Sequence, residues 1–547
     1  MSATPAPQPS APKVADAVAR TLKAYGARFA FGIPGNDVLE TIRACEEQCI
    51  EFVLAKAEPS ACFMADAVYQ LTGKPAVLIP ALGPGISNAM SGIAGALMER
   101  TAMMILCGEM ATRQAGVYNH QVFDHVDLAK PVTKYADQLN PHRAAQQVAK
   151  ALDIALAYPA GPVMLNGPAD FIRSDSTETE TRQPPRQLPA ALTADGVAQL
   201  QKRLAAARRP LALLGRGVLH EGVPAALKAF LESWHEPFFA SYKAKGVVSD
   251  HHPLCVGAVG LSPVIDGENL KLLREADLLL LIGFDPIELR DAWLDAWAES
   301  LPVVTIDWAA QTHRIYPVGE QAVGDVPTLL RQLTADTAAA ARWPAERLKE
   351  FNAGVAHLVR PRMPAKGISP AALFQTISDQ ATDDWIMTVD VGAHRILANH
   401  VIKCRTPGQL LQSNGLGCMG YAVPAAIGAQ LVHPDRPVVA MLGDGCMLMT
   451  QGELAVAAER DLPIVVVVLN DAALALIKLK QDKMKMSRRA VDFRSPRFDK
   501  IAEGFGARGV RVETIADFDR ALREAVASRR MTVIDALVDP SEYWEEM

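Results

Sequence analysis

The sequence predicts an α/β protein built from three doubly wound parallel-sheet domains. Strand-sized apolar runs alternate with helical patterns along nearly the whole chain, 547 residues exceed what a single hydrophobic core serves, and Pro437 to Lys480 reads as one complete βαβ unit. The first domain, residues 13–175, opens on an amphipathic helix from Val14 to Tyr25, a strand from Phe29 to Gly32, and the turn Gly32-Ile33-Pro34-Gly35-Asn36. Further strands are expected at Phe52 to Leu54, Ala76 to Pro80, Ala102 to Cys107 and Pro162 to Asn166, with helices between them. Ser174 to Pro189 is polar and proline-bearing, a linker by composition. The second domain, residues 190–340, carries strands at Leu211 to Leu214, Phe238 to Ala240, Leu278 to Gly283 and Val303 to Asp307. A connector around Trp343 to Ile368 leads into the third domain, residues 366–547.

Composition narrows the function classes. A formal net charge of −6 gives no reason to expect nucleic acid or an anionic membrane as partner, and the longest apolar runs are far short of a spanning helix. Residues 1–12 are rich in Pro, Ala and Ser and lack an apolar signal-peptide region, so they read as a disordered tail. Eight cysteines are scattered without a CxxC pair, which argues against a metal cage or disulfide framework and for a reducing cytoplasm.

Within Pro437 to Lys480, the strands Val438 to Leu442 and Ile464 to Leu469 end in Gly443-Asp444-Gly445 and Asn470-Asp471. Carboxyl ends of parallel strands face the ligand crevice, so Asp444 and Asp471 could share one hard cation there. The glycines beside Asp444 would permit a tight turn and the approach of a phosphate to backbone N–H groups. Taken alone, each motif is more simply a turn after a buried strand. Gly215-Arg216-Gly217 lacks dinucleotide-loop spacing and reads as a plain strand-to-helix turn; Asp250-His251-His252 reads as a surface loop rather than a metal site.

Context changes the weight of the acidic turns. The third domain also holds Asp390-Val391-Gly392-Ala393-His394 and Ser413-Asn414-Gly415-Leu416-Gly417-Cys418-Met419-Gly420, and Asp444 and Asp471 lie 27 residues apart. Together these resemble the diphosphate-binding domain of thiamine-diphosphate enzymes of the acetolactate synthase and 2-oxoacid decarboxylase superfamily. In the first domain, Ala57-Glu58-Pro59-Ser60 resembles the family segment with the cofactor-activating glutamate, followed by Gly83-Pro84-Gly85-Ile86-Ser87-Asn88. His120-Gln121-Val122-Phe123-Asp124 with Pro131-Val132-Thr133-Lys134-Tyr135, Gly283-Phe284-Asp285-Pro286-Ile287-Glu288, and Ala490-Val491-Asp492-Phe493 resemble catabolic acetolactate synthase. The RFDDR-like run of the flavin-binding branch is absent, so FAD is not expected.

The resemblance implies pyrimidine-binding, central and diphosphate-binding domains in that order, and an enzyme that decarboxylates a 2-oxoacid and ligates the product to a second carbonyl compound. The cofactor performs the hard chemistry, and the protein binds, bends and protonates it. Asp444, Asp471 and the Ala473 carbonyl would hold Mg²⁺. Glu58 would hydrogen-bond the aminopyrimidine, and Met419 would be the wedge that bends the cofactor. Gly392, His394, Gly417, Gly443, Gly445, Asn470, Pro34 and Asn88 would complete the cofactor site, with His120 and Gln121 facing the substrate. Lys478 to Arg489 would be a helix and flap over the site. A homodimer or homotetramer is implied, because the family's site forms between subunits.

Three departures concern the substrate. The family's HEQ, TSGPG and GIPGAK are here Ala57-Glu58-Pro59, Ala81-Leu82-Gly83-Pro84-Gly85 and Gly32-Ile33-Pro34-Gly35-Asn36-Asp37. Asp37 would repel an acceptor carboxylate that the family's lysine attracts, and Pro59 and Leu82 make the pocket more apolar. A larger 2-oxoacid donor or an aldehyde acceptor is therefore expected. The alternatives are a non-ligating decarboxylase, an aldehyde carboligase or lyase on a larger apolar substrate, and, from a different class, a cofactor-binding regulator without activity.

Overall fold

The computed structural model describes residues 11–178, 180–335, 339–413 and 415–545. Three six-stranded parallel sheets, each interleaved with helices, form an α/β fold as expected. The chain divides into two compact units, residues 1–186 and 187–547.

In the first unit the strands are β1 (Phe29–Gly32), β2 (Glu51–Leu54), β3 (Ala76–Leu78), β4 (Met103–Glu109), β5 (Tyr135–Gln138) and β6 (Val163–Pro168). They lie in the order β2-β1-β3-β4-β6-β5. After β1 the chain steps to one side for β2 and to the other for β3, so a crevice opens at the carboxyl ends of β1 and β3, the switch point where α/β folds bind ligands. Every residue of β1, β3 and β6 is buried, as a sheet covered on both faces requires.

The second unit holds two such sheets. The central one contains β7 (Pro210–Leu214), β8 (Phe238–Ser241), β9 (Cys255–Val259), β10 (Leu278–Ile282), β11 (Val303–Asp307) and β12 (Glu320–Val323), ordered β12-β11-β10-β7-β8-β9. The last contains β13 (Ile386–Val389), β14 (Leu410–Gln412), β15 (Val438–Gly443), β16 (Val465–Asn470), β17 (Arg508–Val512) and β18 (Thr532–Leu537), ordered β14-β13-β15-β16-β18-β17. Their switch points lie between β7 and β10 and between β13 and β15. The first of these is filled. A Cβ on Gly215 would lie 2.4 Å from Phe284 Cα, Gly217 donates its N–H to Gly283 O at 2.8 Å, and Glu288 accepts the Arg216 N–H at 2.6 Å. Gly215-Arg216-Gly217 is thus a plain turn, leading into a short 3₁₀ segment (Arg216–Leu219).

Several sequence expectations need correction. Of the expected tail, residues 1–10 lie outside the described residues, and Pro12 is tied down: its carbonyl accepts the Ser176 N–H at 2.7 Å. The polar stretch after Ser174 therefore begins as part of the first unit, where the Glu178 carboxylate also accepts the Ala145 N–H. Asp250 is not a surface-loop residue. Its carboxylate is buried, paired with Lys245 Nζ at 2.5 Å and bonded to the Cys404 N–H at 2.9 Å.

The C-terminal 3₁₀ segment Pro540–Glu545 is anchored by one side chain. Glu542, buried, accepts the N–H groups of Arg362 and Ala371 and the Ser369 hydroxyl, all at 2.9 Å. Ser369 caps the helix Pro370–Gln380, so the carboxylate sits at a helix N-terminus, where dipole and orphan donors both favour it. Glu542→Ala strands these donors and is expected to destabilise the second unit by about 2–3 kcal/mol, read as a lowered midpoint in chemical denaturation; an unchanged midpoint would show the anchor to be dispensable.

Candidate active site

In the second unit, a cavity of about 260 Å³ opens at the β13/β15 switch point. Its wall brings together nine of the residues singled out from the sequence: Gly392, His394, Gly417, Met419, Gly443, Asp444, Gly445, Asp471 and Ala473. Asp444 opens the helix Asp444–Thr450 directly from β15, so it points into the crevice from the first helical position. Neither of its flanking glycines adopts a left-handed conformation, and Gly443 is extended at φ −76°. Their role is space rather than turning: a Cβ on Gly445 would lie 2.8 Å from Leu474, and one on Gly443 3.3 Å from the His394 ring.

Asp444 organises the neighbouring turn. Its Oδ2 accepts the N–H groups of Asp471 (3.1 Å) and Ala472 (2.6 Å), and its Oδ1 that of Gly445 (2.7 Å). Ala472 is held at φ +60°, a strained value for a residue with a Cβ, which turns Asp471 and Ala473 toward the cavity. Burial pushes the Asp444 carboxyl up to about 6 despite these bonds. Burial, and then the Asp444 charge, push Asp471 to about 8. Two coupled carboxyls, one buried and one half-buried, that resist joint ionisation are what a divalent cation relieves.

Asp390, at the end of β13, is fully buried and accepts the N–H groups of Val391, Gly420 and Ala422 at 2.8–2.9 Å, which fixes the turn carrying Met419. His394 lies over Gly392, where a Cβ would meet the ring at 2.5 Å, and burial lowers the imidazole pKa to about 3. Asn470 is not part of the wall: its side chain donates to Asp535 (2.8 Å) and Pro496 O (3.2 Å) and accepts from Ser495 (2.9 Å), so it serves the sheet.

In the first unit, Glu58 is the first residue of the helix Glu58–Thr72 and is 8 % exposed. Asn88, one turn into the helix Pro84–Met98, donates its side-chain N–H to Glu58 Oε2 at 2.5 Å. The two helices meet because residue 92 is glycine: a Cβ there would lie 2.5 Å from that of Cys62. Gly83 precedes the second helix at φ +66°, and a Cβ on it would meet Gln121 Cβ at 2.8 Å, so both conformation and proximity call for glycine. Gln121 is thereby set beside the Gly83-Pro84-Gly85 turn, itself at φ +61°, whereas His120 is exposed with its ring edge-on to Tyr118. Pro34 is exposed just beyond β1. Asp37 does not project outward as a repelling charge: its Oδ2 accepts the Leu82 N–H at 2.8 Å, and burial raises its pKa.

Comparison with known proteins bears directly on these sites. Residues 12–129, 197–333 and 390–536 match, in order, the N-terminal TPP binding, central, and C-terminal TPP binding domains of thiamine pyrophosphate enzymes. Acetolactate synthase of Bacillus subtilis is 30 % identical over 541 residues, 96 % of this chain and 93 % of the relative. The chain belongs to the thiamine pyrophosphate enzymes. Catabolic acetolactate synthase of Raoultella terrigena is 29 % identical, covering 96 % of this chain and 95 % of its own. A protein of Pseudomonas aeruginosa named a probable 2-ketoarginine decarboxylase is also 29 % identical, with 95 % and 93 % covered.

A thiamine pyrophosphate enzyme of the acetolactate synthase type needs a seat for the diphosphate, and the chemistry of the cavity fits one. His394 Nε2 is a buried polar atom without a hydrogen-bond partner, and the Asp444–Asp471 pair calls for a cation beside it. Among the described residues, no group of three or more His, Cys, Asp or Glu could hold a metal, so a cation here needs carbonyl, water or diphosphate oxygens as well. Tyr543, which reaches the wall from the C-terminal 3₁₀ segment, and the apolar Leu474, Leu476 and Ile477 belong to no motif that would mark them in the sequence. His125, one residue past the His120 to Asp124 motif, is buried beside the Gly83 turn, and no motif supplies a signal for it.

Proposed function

We propose that this enzyme decarboxylates a 2-oxoacid larger and more apolar than pyruvate and joins the product to a second carbonyl compound. The observation that carries this reading is the turn beside Glu58, Ala81 to Gly85, where Leu82 stands in place of the family's hydroxyl residue and Asp37, in place of the family's lysine, accepts the Leu82 N–H at 2.8 Å. Such a turn offers apolar contact to a donor side chain and no cation to a second carboxylate. The relative named for 2-ketoarginine supports a donor bigger than pyruvate.

When bound, thiamine diphosphate would supply nucleophilic-carbon and electron-sink chemistry for decarboxylation of the 2-oxoacid. Asp444, Asp471 and the Ala473 carbonyl would hold Mg²⁺, His394 would face the diphosphate, and Met419 would support the bend between the rings. Glu58, kept in place by Asn88, would share a proton with the aminopyrimidine. Gln121 and His120 are the polar candidates facing substrate. The resemblance to a family whose site forms between subunits adds a homodimer or homotetramer to the reading. FAD is not part of the reading, and the eight cysteines, all free, support a reducing cytoplasm. Among the described residues, no helix is long and apolar enough to cross a membrane.

Steady-state assay across 2-oxoacids of increasing side-chain size, with and without aldehydes, tests the proposal. The preferred donor is expected to exceed pyruvate in kcat/KM by roughly 10–200-fold, the range that one methylene is worth in an apolar pocket. Acetolactate as the sole efficient product would sink the reading; free aldehyde with no ligated product would establish the simple decarboxylase instead.

A further inference from the structure

Four strand ends in the first unit converge on a single turn, Ala81 to Gly85. Asp37, beyond β1, accepts the Leu82 N–H at 2.8 Å. His125 Nε2 accepts the next N–H, that of Gly83, at 3.1 Å. A backbone N–H can only donate, so Nε2 carries the lone pair and the proton resides on Nδ1. That Nδ1 faces Glu109 Oε2, from the end of β4, at 3.0 Å. Glu109 is held in turn by the Asn166 side chain, from β6, at 2.7 Å and by the Met110 N–H at 2.8 Å. Burial opposes its ionisation, but the bonds from His125 and Asn166 prevail and its pKa is lowered, so it is a carboxylate able to fix the imidazole tautomer. Room for Asp37 comes from Gly35 and Gly108, where Cβ atoms would lie 2.5 Å and 1.7 Å from its oxygens.

We propose that His125 and Asp37 are positioning residues for the reaction, each fixing one of two consecutive N–H groups of the turn that leads to Asn88 and Glu58. The turn opens the helix Pro84–Met98, a Cβ on Gly85 would lie 3.6 Å from Glu58 Oε1, and Asn88 bonds Glu58 Oε2. Displacing Gly83 therefore moves Asn88, which holds Oε2, and the Gly85 backbone that lies beside Oε1. The inference rests on the reading of Glu58 as the group that activates the cofactor. It also replaces the expected part for Asp37: the side chain acts as an acceptor for backbone. Cys107 Sγ, 4.0 Å from His125 Nδ1, is buried with its thiol pKa pushed up, and belongs to the packing around the imidazole rather than to a nucleophile.

Acceptor removal and acceptor replacement distinguish positioning from packing. In the holoenzyme, His125→Leu is expected to lower kcat by up to about 100-fold, the scale of an ångström misplacement, with KM for the donor changed by less than about threefold. His125→Gln restores an acceptor and is expected to recover most of kcat. In the unloaded protein, amide hydrogen exchange across residues 81–86 should accelerate in His125→Leu and stay near wild type in His125→Gln. Should the leucine variant not fold, Asp37→Ala and Asp37→Asn pose the same contrast at the Leu82 N–H. A glutamine variant as slow as the leucine one, or unaltered exchange at the turn in His125→Leu, would overturn the proposal. If no 2-oxoacid is turned over even by wild type, the reaction reading fails while the exchange measurement still decides what holds the turn.

Discussion

Glu58→Gln is expected to slow turnover by roughly 10²–10⁴-fold, the contribution of a positioned acid–base group, while cofactor affinity changes far less. The substitution keeps the length and planarity of the side chain, and Asn88 can still donate to the remaining carbonyl oxygen. It removes the ability to take and return a proton. Glu58 is suited to that task because the first position of a long helix holds it rigidly, it is 8 % exposed, and a single short bond from Asn88 orients one oxygen. Exchange of the cofactor C2 proton with deuterated solvent reads the step before substrate enters, so a loss there separates activation from later chemistry. Unchanged activity and unchanged exchange in Glu58→Gln would refute the role. A parallel loss of thermal stability would instead point to a structural carboxylate, which the chain has elsewhere in Glu542.

How far the site was legible follows from the range of the interactions that build it. The strand ends at Gly443 and Asn470 could be read because buried parallel strands are continuous apolar runs, and Asp444 with Asp471 because their spacing is set by one βαβ unit. Glu58 stood at a recognisable helix start. What could not be read depends on which strand ends the topology makes neighbours. Asp37 looked like an outward charge because the residues that engage it, Leu82 and Gly108, are 45 and 71 positions away in sequence. His125 lay just past a recognised motif, with its partners on β4 and β6. Asn470 illustrates the reverse error: its place in the motif suggested the cofactor, yet Asp535 on the adjacent β18 takes its amide. Tyr543 enters the cavity only because Glu542 pins the chain's last turn to the start of a helix more than 170 residues earlier.

Asp444→Ala is expected to abolish measurable Mg²⁺-dependent binding of thiamine diphosphate at concentrations that saturate wild type, a loss beyond the roughly 10–100-fold typical of supporting residues around a metal. The alanine removes a candidate ligand and also the acceptor for two N–H groups of the strained turn at Ala472, so Asp471 and Ala473 lose their orientation together. Asp471→Asn separates charge from geometry. In the metal-free protein the folded-state pKa values of Asp444, about 6, and Asp471, about 8, both lie above their ordinary carboxylate value. A carboxyl whose pKa is raised on folding contributes stability at low pH that is lost as pH rises through the folded value. The metal-free protein should therefore weaken between about pH 4 and about pH 8. A divalent cation reverses this, so the rise in Tm produced by Mg²⁺ and thiamine diphosphate should be larger near pH 8 than near pH 6. Asp471→Asn removes the upper titration and the repulsion: the metal-free variant should be more stable than wild type near pH 8, and its gain from Mg²⁺ smaller. Equal Mg²⁺ gains at both pH values in wild type, or an asparagine variant no more stable than wild type without metal, would show that the two carboxyls do not form a cation site held apart by their own charge.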